Sequence, residues 1–345
     1  MNVILVTGGA GFIGSHYLND SVKNHPNQFY INLDNLSYAS NLSLLDDIQN
    51  KQNYLFIEGS ICNKQLLTKL FTNYCIQGVV HFAAESHVDN SIFAPEQFIE
   101  TNIKGTFQLL EAAKQSWMEA PFCCRELYKG ARFHHVSTDE IYGTLGPLGQ
   151  FSETSPYAPN SPYSASKASS NLLVRSYHKT FGLNCTISNC SNNFGPGQHH
   201  EKLIPTIIRK ALNNEAIPIY GDGTNIRDWL YVKDHCEAIE TIFLSSASGE
   251  VYNIGGYHEC NNLELAQQIC QILDQLIPRG DGLPYHKQIT FVEDRPGHDW
   301  RYSIDASKLT NQLNWHAKTD FSLALKESIL WYCNLYKITK SPICT

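Results

Sequence analysis

Residues 3–14 read Val3-Ile4-Leu5-Val6-Thr7-Gly8-Gly9-Ala10-Gly11-Phe12-Ile13-Gly14. An apolar run enters Gly9-x-Gly11-x-x-Gly14, and a helical pattern follows to about residue 24. The glycine spacing is weak evidence alone; between a strand and a helix it has a mechanism. The early glycines, Gly8 included, permit a tight turn. Gly11 lets the backbone approach a pyrophosphate at the helix N-terminus, and Gly14 lets that helix pack on the strand. Asp34 ends the next apolar run, 20 residues past Gly14. A carboxylate there can accept the hydroxyls of a ribose. No Arg stands beside it to hold a 2′-phosphate, so the pattern favours NAD over NADP. The plainer alternative, a tight turn followed by an exposed Asp, accounts for neither the spacing nor its context.

Working outward, further apolar runs lie at Phe29–Leu33, Tyr54–Ile57, Val79–Phe82 and Phe133–Val136. Their continuous apolar character predicts strands buried on both faces, as in a parallel sheet. Helical patterns lie between them at about 12–24, 62–74, 96–118 and 162–181. This alternation predicts an α/β fold, a doubly wound parallel sheet of the Rossmann type. After Asn189 turns become frequent, at Gly195-Pro196-Gly197, Gly221-Asp222-Gly223 and Gly255-Gly256. Helical stretches at about 203–213 and 233–245 interrupt them, and 278–303 is rich in Pro, Gly and charge. We expect a cofactor domain over 1–190, with segments near 228–252 returning to it. A smaller, interleaved substrate-binding lobe is expected over 191–335, and a poorly ordered tail over 336–345.

The composition narrows the partners. Lys and Arg number 26 against 33 Asp and Glu, a net charge of −7, with 42% hydrophobic residues. That balance fits a packed globule and disfavours nucleic acid or an anionic membrane. An anionic substrate then needs local cations. No apolar run reaches the roughly 18 residues of a membrane span. The start of the chain has no basic region before its first apolar run, so no signal peptide is expected. Eleven scattered cysteines, with no C-x-x-C, read as reduced thiols of a cytoplasmic protein. Cys123-Cys124, His134-His135 and His199-His200 are adjacent pairs without zinc-ligand spacing, so no metal is expected.

Two segments carry candidate chemistry. In Ser161-Pro162-Tyr163-Ser164-Ala165-Ser166-Lys167 a helix start precedes Tyr163 and Lys167, which share one helix face at i and i+4. A cation beside a phenol favours the phenolate, and the same ammonium can bind a ribose hydroxyl. A chance pair on a surface helix is the competing reading. Thr138-Asp139-Glu140 follows the fifth apolar run, where ligands of such sheets bind. Both carboxylates reach one ligand only if the strand has ended and a helical turn begins near Thr138. The competing reading is an N-terminal cap with two acids favoured by the helix dipole.

Together the glycine turn and the Tyr163/Lys167 pair resemble the short-chain dehydrogenase/reductase superfamily. The length and the second lobe resemble its extended branch, which acts on nucleotide sugars. The motifs Ala83-Ala84-Glu85-Ser86-His87-Val88-Asp89 and Thr138-Asp139-Glu140 are similar to those of the dTDP-glucose 4,6-dehydratase family. So are Cys190–Pro196, Glu201–Pro205, Pro218–Gly221, Ile226–Trp229 and Asp294–His298. The resemblance covers about residues 2–333. It implies conversion of dTDP-glucose to dTDP-4-keto-6-deoxyglucose and water, an early step of dTDP-rhamnose and other deoxysugar biosynthesis.

By that resemblance Tyr163, helped by Lys167 and Thr138, takes the sugar 4-hydroxyl proton while hydride passes from C4 to NAD. Glu140 removes the C5 proton, Asp139 protonates the leaving 6-hydroxyl, and hydride returns to C6. Positions implied around NAD are Gly8, Gly11, Phe12, Ile13, Gly14, Asp34, Asn35, Leu36, Ser37, Ser60, Ile61, Phe82, Ala83, Ala84, Ser86, Thr101, Tyr163, Lys167 and Asn193. Those implied around the nucleotide sugar are Ser86, Thr138, Asn192, Lys202, Leu203, Pro218, Tyr220, Arg227, Asn262, Asp294, Arg295 and His298. A homodimer through two helices per subunit is also implied. Ser60 stands where the family commonly has Asp, Asn35 where many members have Lys, and Asn90 where many have Arg. A 4-epimerase is a rival, as is a dehydratase for another nucleotide. A non-catalytic NAD-sensing scaffold is a third. Asp139-Glu140 argues against the epimerase, and the presence of Tyr163 and Lys167 against the scaffold.

Overall fold

The computed structural model describes residues 2–340. The expected strands form: β1 (Asn2–Thr7), β2 (Gln28–Asp34), β3 (Tyr54–Glu58), β4 (Ile76–His81) and β5 (Arg132–Thr138). β6 (Cys185–Cys190) and β7 (Val251–Ile254) complete the sheet. All seven are parallel, in the order β3-β2-β1-β4-β5-β6-β7. The order reverses between β1 and β4, opening a crevice at the carboxyl ends of the strands.

Eight helices are used below: α1 (Phe12–Asn24), α2 (Lys64–Asn73), α3 (Thr106–Trp117), α4 (Pro162–Phe181), α5 (Leu203–Leu212), α6 (Val232–Ser245), α7 (Asn262–Leu276) and α8 (Phe321–Lys340). One sheet face is covered by α1 and α6 through Tyr17, Leu18, Ile239 and Ile242. The other is covered by α2, α3 and α4 through Leu67, Leu109, Trp117 and Val174. Burial on both faces is why these strands read as unbroken apolar runs.

The stretch expected as one helix over 96–118 is three pieces. A turn at Pro95–Phe98 leads into a π-helical segment, Ile99–Gly105, and then α3. Here Asn102 is buried. Its Oδ1 accepts from the Glu85 amide at 2.8 Å, and its Nδ2 donates to the Glu85 carbonyl at 3.0 Å and to Ser166 Oγ at 2.8 Å. The widened turn thus clamps the loop after β4 to α4.

The C-terminal segments add a parallel pair, Ile217–Tyr220 with Ile289–Val292. A three-stranded sheet joins Asn192–Phe194, Ile226–Tyr231 and Glu259–Asn261. Ile207, Ile208, Leu265 and Ile269 of α5 and α7 belong to the same apolar cluster as Tyr17 and Leu18 of α1, so the two lobes share a core. The chain returns to the large sheet with α6 rather than at 228. Residues 226–231 pair within the small sheet, while α6 packs on α1 and β7 joins β6. The last helix continues through Lys340. The expected tail beyond it lies outside the described residues. Among the described residues no helix is long and apolar enough to cross a membrane.

Candidate active site

The turn after β1 is closed by contacts that tolerate no side chain. A Cβ on Gly14 would lie 2.3 Å from the Gly8 carbonyl oxygen. Gly8 has φ +74°, and a Cβ there would lie 2.6 Å from the Ala83 nitrogen. Gly11 begins α1 and faces open space in the crevice apart from Gly8 O. Across this turn Asp34 Oδ2 accepts the Ala10 amide, while Oδ1 accepts the Leu36 amide and the Ser40 hydroxyl. These bonds fix the carboxylate at the wall of the cleft.

Gly8, Gly11, Phe12, Ile13, Gly14, Asp34, Asn35, Ser37, Ser60, Ile61, Phe82, Ala83, Ala84, Ser86, Thr101, Tyr163, Lys167 and Asn193 all line this one cleft. Leu36 does not. It has φ +51° and packs against the large apolar cluster, so its amide reaches Asp34 while its side chain turns inward. Ser60 Oγ accepts the Cys62 amide at 3.1 Å, closing a turn beside the cleft.

The expected turn after β5 forms as a 3₁₀ segment, Asp139–Tyr142, capped by Thr138. Thr138 Oγ1 accepts the Glu140 amide at 3.3 Å and donates to Asp139 Oδ1 at 3.4 Å. The strand ends here, so alternation stops and both carboxylates face the cleft. Gly143 (φ +85°) ends the turn, and a Cβ there would collide with the Ala158 carbonyl.

Ser161 and Ser164 form a capping box with Pro162 at the first position of α4. That start brings Tyr163 and Lys167 to the same cleft, both buried. Lys167 Nζ donates to the Val136 carbonyl at 2.8 Å.

Electrostatics divide these groups. Burial, then the neighbouring Glu140 and Asp228 charges, hold the Asp139 carboxyl well above the usual range. Burial also raises Glu140, opposed by Arg295, Arg227 and Lys202. The pair is therefore poised for one acid and one base. Burial drops Lys167 to about 8. Burial and then the charge of Glu140 push the Tyr163 phenol well above its usual value, opposed by the Thr138 hydroxyl.

Of the residues expected around a nucleotide sugar, Ser86, Thr138, Asn192 and Lys202 line the main cleft. Lys202 Nζ donates to the Ser86 carbonyl at 2.9 Å, and Leu203 begins α5 beside it. The others stand outside the lining, in the second lobe. Arg227 is buried, donates to the carbonyls of Ile226, Asp299 and Trp300, and lies 4.4 Å from the Tyr302 ring centroid. Arg295 pairs with Asp89 at 3.0 Å, and the Tyr220 hydroxyl reaches the same carboxylate at 3.3 Å. His298 meets Asp294 at 2.6 Å. Pro218 pairs with Thr290 along the two-stranded sheet. Asn262 heads α7 with its amide on the Asn225 carbonyl, leaving a buried Oδ1 without a partner. Arg227, Arg295 and Lys202 nevertheless all act on Glu140, so the cations converge on the carboxylate end of the cleft.

The cleft also holds Glu85, Ser137, Cys190, Gln198, His199 and Glu201, none singled out from sequence. Glu85, Cys190 and Glu201 lie inside three of the motifs above, but nothing in their spacing distinguishes a lining residue from a neighbour.

The family model described as GDP-mannose 4,6 dehydratase matches residues 5–328. A dTDP-glucose 4,6-dehydratase from Xanthomonas campestris pv. campestris is 50% identical over 328 residues, 95% of this chain and 92% of that protein. The solved dTDP-glucose 4,6-dehydratase from Bacillus anthracis, in complex with NAD, is 41% identical with TM-score 0.85, covering 98% of each chain. That from Streptomyces venezuelae, with NAD bound, is 39% identical with TM-score 0.87, covering 97% of this chain and 98% of that one. On a family match along nearly its whole length, and on this identity and shared fold, the chain belongs to the GDP-mannose 4,6 dehydratase family.

Proposed function

We infer that the protein is an NAD-dependent hydro-lyase that converts dTDP-glucose to dTDP-4-keto-6-deoxyglucose and water. One observation carries this: the Asp139–Glu140 pair and the Tyr163–Lys167 pair open onto a single cleft. A 4-epimerase needs the second pair and has no use for an acid and a base at C5 and C6. The relatives bearing the dTDP-glucose 4,6-dehydratase name support the same reading.

The residues present fit NAD. The glycine cradle excludes any Cβ at Gly14, and Asp34 stands oriented at the wall. Gly8, Gly11–Gly14, Asp34, Ser60–Ile61, Phe82–Ala84, Thr101 and Asn193 would hold it. NAD, when bound, supplies the redox partner for the sugar carbon. Tyr163 takes the 4-hydroxyl proton, with Thr138 beside it and the Lys167 ammonium as electrostatic support. The 4-ketone acidifies C5–H. Glu140 removes that proton and Asp139 donates one to the 6-hydroxyl, which leaves as water; Glu140 then returns its proton to C5, and the proton taken by Tyr163 replaces, through solvent, the one Asp139 gave up. Lys202, Arg227 and Arg295 hold the substrate diphosphate against a net charge of −7.

Residues 191–335 form mainly the nucleotide-sugar lobe. The protein acts as a homodimer, supported by exposed apolar side chains on neighbouring helical segments: Phe93 (86% exposed), Ile99 (57%), Phe107 and Leu172. Cys62, Cys75, Cys123, Cys124, Cys185, Cys190, Cys236, Cys260 and Cys270 are free thiols, which supports the cytoplasm as its compartment. The test of the activity is mass spectrometry of products after separate incubation with dTDP-, UDP- and CDP-glucose. Loss of one water from dTDP-glucose alone is expected. An isomer of unchanged mass would mean an epimerase.

A further inference from the structure

Behind Tyr163 and Lys167, between the sheet and helices α3 and α4, lies a buried polar layer that the steps above do not use. His135 sits in it, wholly buried, with neither ring nitrogen hydrogen-bonded to protein. Buried imidazoles without partners are rare and call for a cause. Side chains alternate along β5. Val136 therefore turns toward α1 and α6 with the first apolar cluster, while Phe133, His135 and Ser137 turn toward α3 and α4. The Ser137 hydroxyl is likewise buried and unpartnered, and it lines the cleft with Lys167.

The neighbouring His81 cannot complete His135. Its ring centroid is 5.2 Å away, and both its nitrogens are engaged. The only hydroxyl proton of Thr106 goes to the Asn102 carbonyl at 2.6 Å, so Thr106 Oγ1 accepts from His81 Nε2 at 2.9 Å. In the neutral ring Nδ1 is then the acceptor, and Thr7 donates to it at 2.7 Å. Lys167 faces the same layer. Its ammonium has three N–H groups, and one is accounted for at Val136 O. Its charge acts on both His81 and His135.

We propose that His135 is a positioning residue for Lys167, acting through a buried water held between an imidazole nitrogen, the Ser137 hydroxyl and Lys167 Nζ. Such a water has the polar partners that buried waters require. It gives the ammonium a second acceptor besides Val136 O. That acceptor holds the side chain within reach of Tyr163 and favours the charged form against burial. Burial keeps His135 itself neutral, so it can accept. The proposal rests on the reading that Tyr163 and Lys167 carry out the C4 oxidation.

The test combines a pH profile with a structure. His135→Phe fills the space and removes the acceptor. The ammonium then loses its proton more readily, and the alkaline limb of turnover on dTDP-glucose moves down by about one pH unit. At pH 8 that is about a fivefold loss in kcat, approaching tenfold well above the limb, with KM for the sugar nucleotide within about twofold. His135→Gln keeps an acceptor and restores the limb. The other groups facing Lys167 and His135 stay in place: Tyr163 on α4, Cys190 on β6, His81 on β4 and His134 on β5, with Asp139 beyond Tyr163. A His135→Phe profile superimposed on that of the parent protein overturns the proposal, as does equal loss in Phe and Gln. If His135→Phe does not fold, a high-resolution crystal structure of the parent protein decides. A water bonded to both Lys167 Nζ and His135 supports the proposal, and a dry gap overturns it. That result stands even if the protein proves inactive on dTDP-glucose, which would count against the activity instead.

Discussion

Asp34 Oδ2 accepts the backbone amide of Ala10 at 2.9 Å, tying the end of β2 to the glycine turn after β1. The same carboxylate binds the Leu36 amide and the Ser40 hydroxyl, so it is held rigid before any ligand arrives. A fixed carboxylate suits two vicinal ribose hydroxyls and repels a 2′-phosphate. Equilibrium titration is expected to show NAD preferred over NADP. Asp34→Ala removes a charge-assisted contact to the ribose worth roughly 1.5–3 kcal/mol in total, so NAD binding weakens about 10- to 100-fold. A parent protein that prefers NADP would refute the assignment of Asp34.

Tyr163→Phe removes the only phenolic hydroxyl proposed to take the 4-hydroxyl proton. Single-turnover absorbance of the reduced cofactor with excess sugar nucleotide is expected to slow by ~10²–10⁴-fold. Lys167→Ala is expected to slow the same step and also to weaken NAD binding, because its ammonium lines the cofactor end of the cleft. Unchanged turnover in Tyr163→Phe removes that residue from the mechanism.

The large sheet was legible because β1 to β5 are buried on both faces, which demands unbroken apolar runs of strand length bounded by turns. The break inside 96–118 was not legible. Periodicity sees the apolar residues of Pro95–Trp117, but the π-helical turn exists to carry Asn102 inward to Glu85 and Ser166, a tertiary demand. The cofactor end of the cleft was readable from glycines whose missing Cβ atoms have one purpose. The second-lobe residues were reached through resemblance, since Arg227, Arg295 and His298 come from separated loops and strands. Asp89 stood out only as part of a motif, and its pairing with Arg295 appears only once the lobes meet. An i to i+4 spacing says nothing of how deeply the pair is buried, so the burial that raises the Tyr163 phenol was not legible.

Arg295 contributes the largest charge effect holding Glu140 down against burial. Removing that cation raises the pKa of Glu140, so the base is protonated over more of the acidic range. Arg295→Gln is therefore expected to shift the acidic limb of solvent exchange at C5 upward in pH. KM for the sugar nucleotide rises as well, because a diphosphate contact is lost. The measurement is the pH dependence of exchange at saturating substrate. A limb that stays put, or moves down, separates Arg295 from the chemistry.

Asp139 and Glu140 distinguish dehydration from epimerisation. The hydrogen leaving C4 is expected to reappear at C6, so deuterium placed at C4 of dTDP-glucose should be found at C6 of the 4-keto-6-deoxy product. In heavy water, solvent deuterium should enter at C5, where Glu140 acts. Asp139→Asn keeps the shape but cannot donate an acid proton, so elimination should slow by ~10²–10⁴-fold while C4 oxidation persists. Glu140→Gln should suppress exchange at C5. Stability separates this from a structural cap. The folded-state pKa of Asp139 is raised, so its contribution to stability is fully present below the unfolded value and is lost as pH rises through the folded one. Asp139→Asn should therefore raise Tm at neutral pH, with a gain that shrinks as pH falls toward the ordinary carboxyl range. A cap residue would instead lose roughly 0.5–2 kcal/mol and spare the chemistry. The mechanism does not survive an Asp139→Asn protein that eliminates water at the parent rate, nor a product whose C6 deuterium comes only from solvent.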